Sequence, residues 1–310
     1  MYFCIFENRM DTTSIIVNFT TWIKRDKFIE HMLESISNQT VKPSKVICWL
    51  SEEEYSKQMP ETVKLCLQKG LINDVYWVPG STKPYKRWET FRKNSDAYNF
   101  MIDDDIIYAP DYIEKMLAES ALHPGHVIDY YYQAVDLVDG KMVYLENPHP
   151  EEKKLFLSGY SCFPPHTFPM EALEHNSIRN KYFSMCDDNW IHSWMLKKHI
   201  PLTAIADHND EGYLNTIEGS QGKDNSIWYL HNANTTFGVS QQYVNTVNIL
   251  HRIGAVKEGE AIWPQIKVWK YRTRYCFGRN LGSLHDWKYQ LLKLTHFLPK
   301  PFRQKLRSLK

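Results

Sequence analysis

Tyr98-Asn99-Phe100-Met101-Ile102-Asp103-Asp104-Asp105-Ile106-Ile107-Tyr108-Ala109-Pro110-Asp111 is the stretch that decides the reading of this chain. An apolar strand over Tyr98–Ile102 runs into three adjacent carboxylates, and a helix is expected to open at Ala109-Pro110-Asp111. Three neighbouring carboxylates repel one another, and hydrophobic residues on both sides hold them in a partly dry place. A hard divalent cation, Mn²⁺ or Mg²⁺, stabilises such a group because it takes oxygen ligands and shares them with substrate phosphates. Acids that complement a helix dipole would account for Asp111, but not for three acids placed before another apolar triplet.

Outward from this stretch, the first half has the rhythm of a parallel α/β sheet. Ser14–Phe19 is β-branched and apolar, as expected of a strand buried on both faces. Phe28, Ile29, Met32, Leu33 and Ile36 then recur at helical spacing within 26–37, and Pro43 follows the end of that helix. Further strands are expected over 45–50, 75–78 and 98–102, with a helix over 61–69 closed by Gly70. Ligands on such sheets bind beyond the carboxyl ends of the strands. Thr20-Thr21 and Asp103–Asp105 both stand at such ends and should share one crevice.

The second half is less regular. Strands are expected over 127–133 and 141–145, with Asp139-Gly140 as a hairpin turn. Ser158–Pro165 reads as a small-residue turn followed by a rigid Pro pair. A helix over 187–198 carries Trp190, Ile191, Trp194 and Met195 on one side and reads as amphipathic. A strand over 202–206 precedes a polar loop over 207–225.

Composition bounds the alternatives. The 310 residues are 43% hydrophobic, enough for a full core in one large domain or two moderate ones. No apolar run reaches the length of about 18 residues that suggests a membrane-spanning helix. The first ten residues lack the basic-then-apolar pattern of a secretory signal. The six cysteines are scattered without a C-x-x-C pair and read as reduced thiols of a cytoplasmic protein. Net charge is +1, but residues 287–310 hold seven Lys or Arg and no acid, leaving a net of −6 elsewhere. Trp287, Phe297 and Phe302 are interleaved with those cations. The mix suits peripheral contact with an anionic membrane at the inner face of the plasma membrane, or equally a packed helix with a solvated basic face. No nucleic-acid partner is expected.

Other residues could join the acid triplet. Of Asp187 and Asp188, one is expected to be an N-cap and the other to point into the crevice, where it could accept a proton from an attacking hydroxyl. His231 could complete a divalent site, although thirteen histidines make one near a loop unsurprising. Lys83, Lys86 and Arg87 precede the fourth strand and could neutralise a diphosphate, or form a solvated helix start. No G-x-x-x-x-G-K-[ST] or G-x-G-x-x-G motif is present.

Four segments resemble bacterial surface-polysaccharide glycosyltransferases of the GT-A fold. They are Asn18-Phe19-Thr20-Thr21-Trp22-Ile23-Lys24-Arg25, Leu33 to Glu54, Asp103-Asp104-Asp105-Ile106-Ile107-Tyr108 (similar to the D-x-D motif), and Cys186-Asp187-Asp188-Asn189-Trp190. The resemblance covers residues 14–235. It implies a Rossmann-like, mostly parallel sheet flanked by helices over 1–240, divided into a nucleotide-sugar half (14–125) and an acceptor half (126–240). A helical, basic C-terminal extension over 241–310 would follow. It implies a hexosyltransferase of surface-polysaccharide synthesis that moves sugar from a UDP-sugar or similar donor to a saccharide or lipid-linked acceptor. Thr20, Thr21 and Arg25 would border the nucleotide, with Asp103, Asp104, Lys86 and Arg87 on the donor side. Asp103, Asp105 and His231 would hold Mn²⁺ or Mg²⁺. Asp188, or else Asp187, would be the base of an inverting displacement. Gly159–Pro165 departs from the more Gly-rich acceptor-side turn this implies. A nucleotidyltransferase making a nucleotide-sugar, or a Ca²⁺-dependent carbohydrate- or lipid-binding module, would be the competing classes. The first is disfavoured because Asn18–Arg25 has no glycine to cradle a triphosphate.

Overall fold

The computed structural model describes residues 13–80, 82–132, 135–138, 141–144, 159–175, 177, 179–180, 183–185, 187–207 and 214–220. It has a mixed α/β architecture, with helices flanking a seven-stranded sheet. The sheet contains β1 (Ile15–Thr20), β2 (Lys45–Ser51), β3 (Asp74–Val78), β4 (Tyr98–Met101), β6 (Val127–Tyr132), β9 (Ser161–Phe163) and β10 (Leu202–Asp207), in the order β10-β6-β9-β4-β1-β2-β3. β1 runs parallel to β2 and β4, β2 to β3, and β6 to β10. Only β9 is antiparallel, to both β4 and β6. The expected mostly parallel sheet is therefore present, with a single reversed strand inserted between its two parallel groups.

β1 and β2 are internal strands and mainly apolar because both faces are covered, with buried Asn18 as the polar position inside β1. Helix α1 (Ile29–Ser37) buries Ile29, Met32, Leu33 and Ile36, the i, i+3, i+4, i+7 face that packs on Val17, Phe19 and Phe100. Helix α2 (Glu61–Gln68) adds Val63 and Cys66 to the same core. Helix α3 (Tyr112–Leu122) is tied to α1 by Gln39, whose amide donates to the Ala109 carbonyl and accepts from the Ile113 N–H. That contact satisfies one of the otherwise unpaired N–H groups in the first turn of α3.

The helix expected to open at Ala109-Pro110-Asp111 is α3, which starts directly after Asp111, and the apolar triplet before it forms β5 (Ile106–Tyr108), paired antiparallel with β11 (Leu214–Thr216). Three expectations are corrected. β11 lies inside the segment expected to be a polar loop, and its backbone bonds to β5 override the polar composition. The hairpin is formed by β7 (Val135–Val138) and β8 (Lys141–Tyr144), whereas β6 pairs with β10 and β9. Helix α4 (Asp187–Lys197) is not amphipathic: Asn189, His192 and Ser193 are buried together with Trp190, Ile191, Trp194 and Met195. Asp139-Gly140, His231 and the basic segment 287–310 lie outside the described residues.

The described cysteines Cys48, Cys66 and Cys162 are free and buried, as expected of reduced thiols. Burial pushes the Cys66 thiol up to about 11, which keeps it protonated and inert. Among the described residues no helix is long and apolar enough to cross a membrane.

Candidate active site

Both acid clusters meet at the carboxyl ends of β1 and β4, and two arginines hold them. Arg25, in the turn that follows β1, pairs with Asp104 and, at 3.1 Å, with Asp105. All three are nearly sealed from water, with both aspartates at 3% exposure. The loop is pinned further by the Asp105 carbonyl, which accepts from the Ile217 N–H at 2.8 Å, and by the Asp103 N–H, which donates to the Tyr108 phenol oxygen at 2.9 Å.

Arg87 comes from the 3-10 helix Lys83–Arg92, whose ten residues are long for that geometry. Aromatic packing holds this helix in place. Phe91 stacks on Phe168 with ring centroids 3.9 Å apart, and Trp88 meets Phe163 edge-on and stacks against Phe168. Arg87 Nη1 donates to Asp103 Oδ1 at 2.6 Å and to the Ile102 carbonyl at 2.9 Å. Nη2 donates to Asp187 Oδ2 at 3.1 Å and lies 3.7 Å from Asp188 Oδ1. Trp88 Nε1 donates to the same Asp187 oxygen at 2.7 Å. Burial opposes the charge on Arg87, but Asp187, Asp103 and Asp188 together outweigh it and raise the guanidinium pKa.

Asp187 and Asp188 both lie within the first turn of α4, so neither stands before the helix as the expected N-cap. Their environments differ. Asp187 is buried and doubly hydrogen-bonded, whereas the Asp188 side chain keeps 27% exposure. The Asp188 carboxyl is raised well above the usual carboxylate range, first by loss of solvent and then by the charges of Asp187, Asp103 and Asp129, with Arg87 opposing. Tyr160 reports the same convergence. Its phenol is raised by burial and by the charges of Asp103, Asp105 and Asp188.

The remaining sequence candidates fall as follows. Thr20 Oγ1 donates to the Trp49 carbonyl at 2.8 Å. Lys86 is buried, with Nζ 3.0 Å from Glu54 Oε2 and 3.2 Å from the Thr21 carbonyl. It thus bridges the turn after β1 to that after β2. Lys83, half-buried with its pKa lowered by burial, has no acid paired with it among the described residues. Glu54, Trp88 and Gly159 were not singled out as site residues in the sequence. Trp88 had one available signal, its place directly after Arg87.

The carboxylates suit Mn²⁺ or Mg²⁺ in kind, since such ions are often held by one or two carboxylates with phosphates and water completing the shell. Asp103 fits best. Its side chain is 32% exposed, and Arg87 is bonded to Oδ1 alone. Asp105 is engaged with Arg25, and no group of three potential ligands comes together among the described residues.

No protein-family model matches the chain, and no curated protein matches it. Among solved structures it is similar to a Staphylococcus aureus TarS fragment, residues 1–349, in complex with UDP: 12% identity over 95% of this chain and 86% of that one, TM-score 0.44. The same fragment in complex with UDP-GlcNAc gives 12% identity over 93% and 82%, TM-score 0.43. Against a longer S. aureus TarS chain the identity is 12%, the TM-score 0.44, and the match spans half of that chain's length.

Proposed function

We propose that this chain is a glycosyltransferase of the GT-A kind, moving a sugar from a nucleoside-diphosphate donor to a saccharide or lipid-linked acceptor, with inversion at the anomeric carbon. The observation that carries the reading is the asymmetric acid pair beside the triplet. Asp187 is buried and accepts two hydrogen bonds, while Asp188 is part-exposed and raised in pKa, on the same guanidinium as Asp103. Pairs of carboxylates whose environments drive them apart mark acid–base assignments.

In this reading Asp188 takes the proton of the acceptor hydroxyl. The hydroxyl oxygen forms a bond to the anomeric carbon as the bond to the diphosphate breaks, and the electron pair leaves with the nucleoside diphosphate. A raised pKa makes Asp188 a stronger base than an ordinary carboxylate. Asp187, held by Arg87 and Trp88, orients the first turn of α4. Lys83 is the cation of its segment left to meet the donor diphosphate, since Lys86 is committed to Glu54 and Arg87 to three aspartates. Mn²⁺ or Mg²⁺, when bound, would supply further positive charge at the diphosphate, and Asp103 would hold it, joined by Asp105 only on release from Arg25. A hexose donor, a role in bacterial surface-polysaccharide synthesis, and membrane docking through 287–310 belong to the same proposal.

UDP and UDP-GlcNAc are the first probes to use, because both were seen bound in TarS. Thermal denaturation with each nucleoside diphosphate, with and without Mn²⁺, tests the donor site, because a ligand of the native state raises its apparent stability. UDP should raise the midpoint, and more so with Mn²⁺. No shift from any nucleoside diphosphate at millimolar concentration would refute the reading.

A further inference from the structure

We propose that Arg87 is a positioning residue that locks Asp103 and Asp188 into one arrangement, and that it is not a ligand of the donor diphosphate. The inference rests on the role given to Asp188 above, but its geometry stands apart from that role. Arg87 is 3% exposed. Its Nη1 bonds Asp103 and the last carbonyl before the triplet, and its Nη2 bonds Asp187 and faces Asp188. Nε is buried. A guanidinium recognises phosphate through a planar fork of donors, and here both arms of the fork already meet protein oxygens.

Two further contacts make the arrangement rigid. Trp88 Nε1 shares the Asp187 oxygen that Arg87 binds, so the acid pair is gripped by consecutive residues of an aromatic-packed helix. On its other side, Asp103 is backed by Gly159. A Cβ at that position would lie 2.7 Å from Asp103 Oδ2 and 3.0 Å from Oδ1. Gly159 does not adopt a left-handed backbone, so its requirement is steric: only a residue without Cβ lets the chain pass so close to a carboxylate. Asp103 is thus held between a guanidinium and a backbone wall, and Asp188 is set relative to it through one side chain.

The test uses the full-length chain with Arg87→Lys, which keeps the charge but loses the fork, and Arg87→Ala. Hydrogen–deuterium exchange should rise together in peptides covering 101–105 and 187–191, by about tenfold at their slowest amides, although the two segments are distant in sequence. UDP affinity, measured by calorimetry, should stay within about threefold, while kcat for UDP release should fall about a hundredfold, as expected for a displacement of the order of 1 Å. Added guanidinium should restore part of the Arg87→Ala rate. Exchange that rises only within 83–92 would overturn the proposal. So would a tenfold loss of UDP affinity at unchanged kcat, which would make Arg87 a diphosphate ligand. If the wild-type chain neither binds UDP nor releases it from UDP-sugars, the glycosyltransferase reading fails, and the exchange pattern still decides whether Arg87 joins the two clusters.

Discussion

Two arginines stand at the carboxyl end of the sheet, and their company differs. Arg25 faces Asp104 and Asp105, a closed knot in which every charge is nearly out of water. Arg87 faces Asp103, Asp187 and Asp188, and two of those three carboxylates keep about a quarter to a third of their side-chain surface exposed. The first knot shapes the turn after β1 around the acid triplet. The second leaves two carboxylates reachable from solvent while fixing where they are. Buried ion groups of the first kind support structure at a desolvation cost, whereas a part-exposed acid with a raised pKa is available for proton transfer.

The sharpest way to break this contrast is to remove each arginine. Arg25→Ala removes the cation that faces two buried carboxylates and should cost about 3–5 kcal/mol in urea unfolding. Arg87→Ala should cost less, about 1–3 kcal/mol, because water reaches Asp103 and Asp188 and Trp88 still donates to Asp187. Equal losses would mean that the two knots are one kind of structure.

Gly159→Ala tests the wall behind Asp103. The added methyl must displace the carboxylate or the chain, an overpacking effect of about 1–3 kcal/mol. Turnover should fall further than this stability loss explains, because Asp103 itself moves. Unchanged turnover and stability together would show that the contact relaxes freely.

The pH dependence of stability gives a smaller signal with a definite sign. The folded Asp188 pKa lies above its unfolded value, so the folded state holds the proton more tightly. The Asp188 contribution is fully present below the unfolded value, about 4, and is lost as pH rises through the raised folded value. Asp188→Asn should remove that loss, and thermal midpoints of the variant and the parent should therefore diverge as pH rises. A constant difference from pH 4 to 8 would show that Asp188 titrates normally. The smallest effect belongs to a pair far from either knot. Lys64 and Glu61 pair on the open face of α2, and Lys64→Ala should change stability by less than about 0.5 kcal/mol.

The sequence was most legible where apolar periodicity decides structure. β1 to β4 and α2 fall within a residue or so of their expected bounds, because strands covered on both faces and a helix with one apolar stripe leave direct patterns. α1 starts three residues later than expected, because Asp26–Phe28 forms a 3-10 turn. β11 was hidden, since its partner β5 lies more than a hundred residues away and its side chains are polar or half-exposed. The burial of polar positions in α4 was hidden too, because His192 and Ser193 look like solvent-facing positions until the surrounding elements cover them. In the candidate site, the acids were legible as a class. Their counter-ions were not: nothing local in Arg25 points to residues some eighty positions on, and Arg87 looked like a phosphate ligand because a sequence displays charge without its partner. Gly159 lay in a turn already noticed for its small residues, but its proximity to Asp103 exists only in three dimensions.

Asp188 as the base of the transfer is the role that everything else at this site serves. The direct measurement is UDP release from a panel of UDP-sugars, with a saccharide acceptor and Mn²⁺, by the wild-type chain and by Asp188→Asn, each with UDP affinity measured in parallel. The wild type should release UDP, and the variant should lose about 10²- to 10⁴-fold in kcat with unchanged UDP affinity. A variant that turns over as fast as the wild type would contradict that role for Asp188.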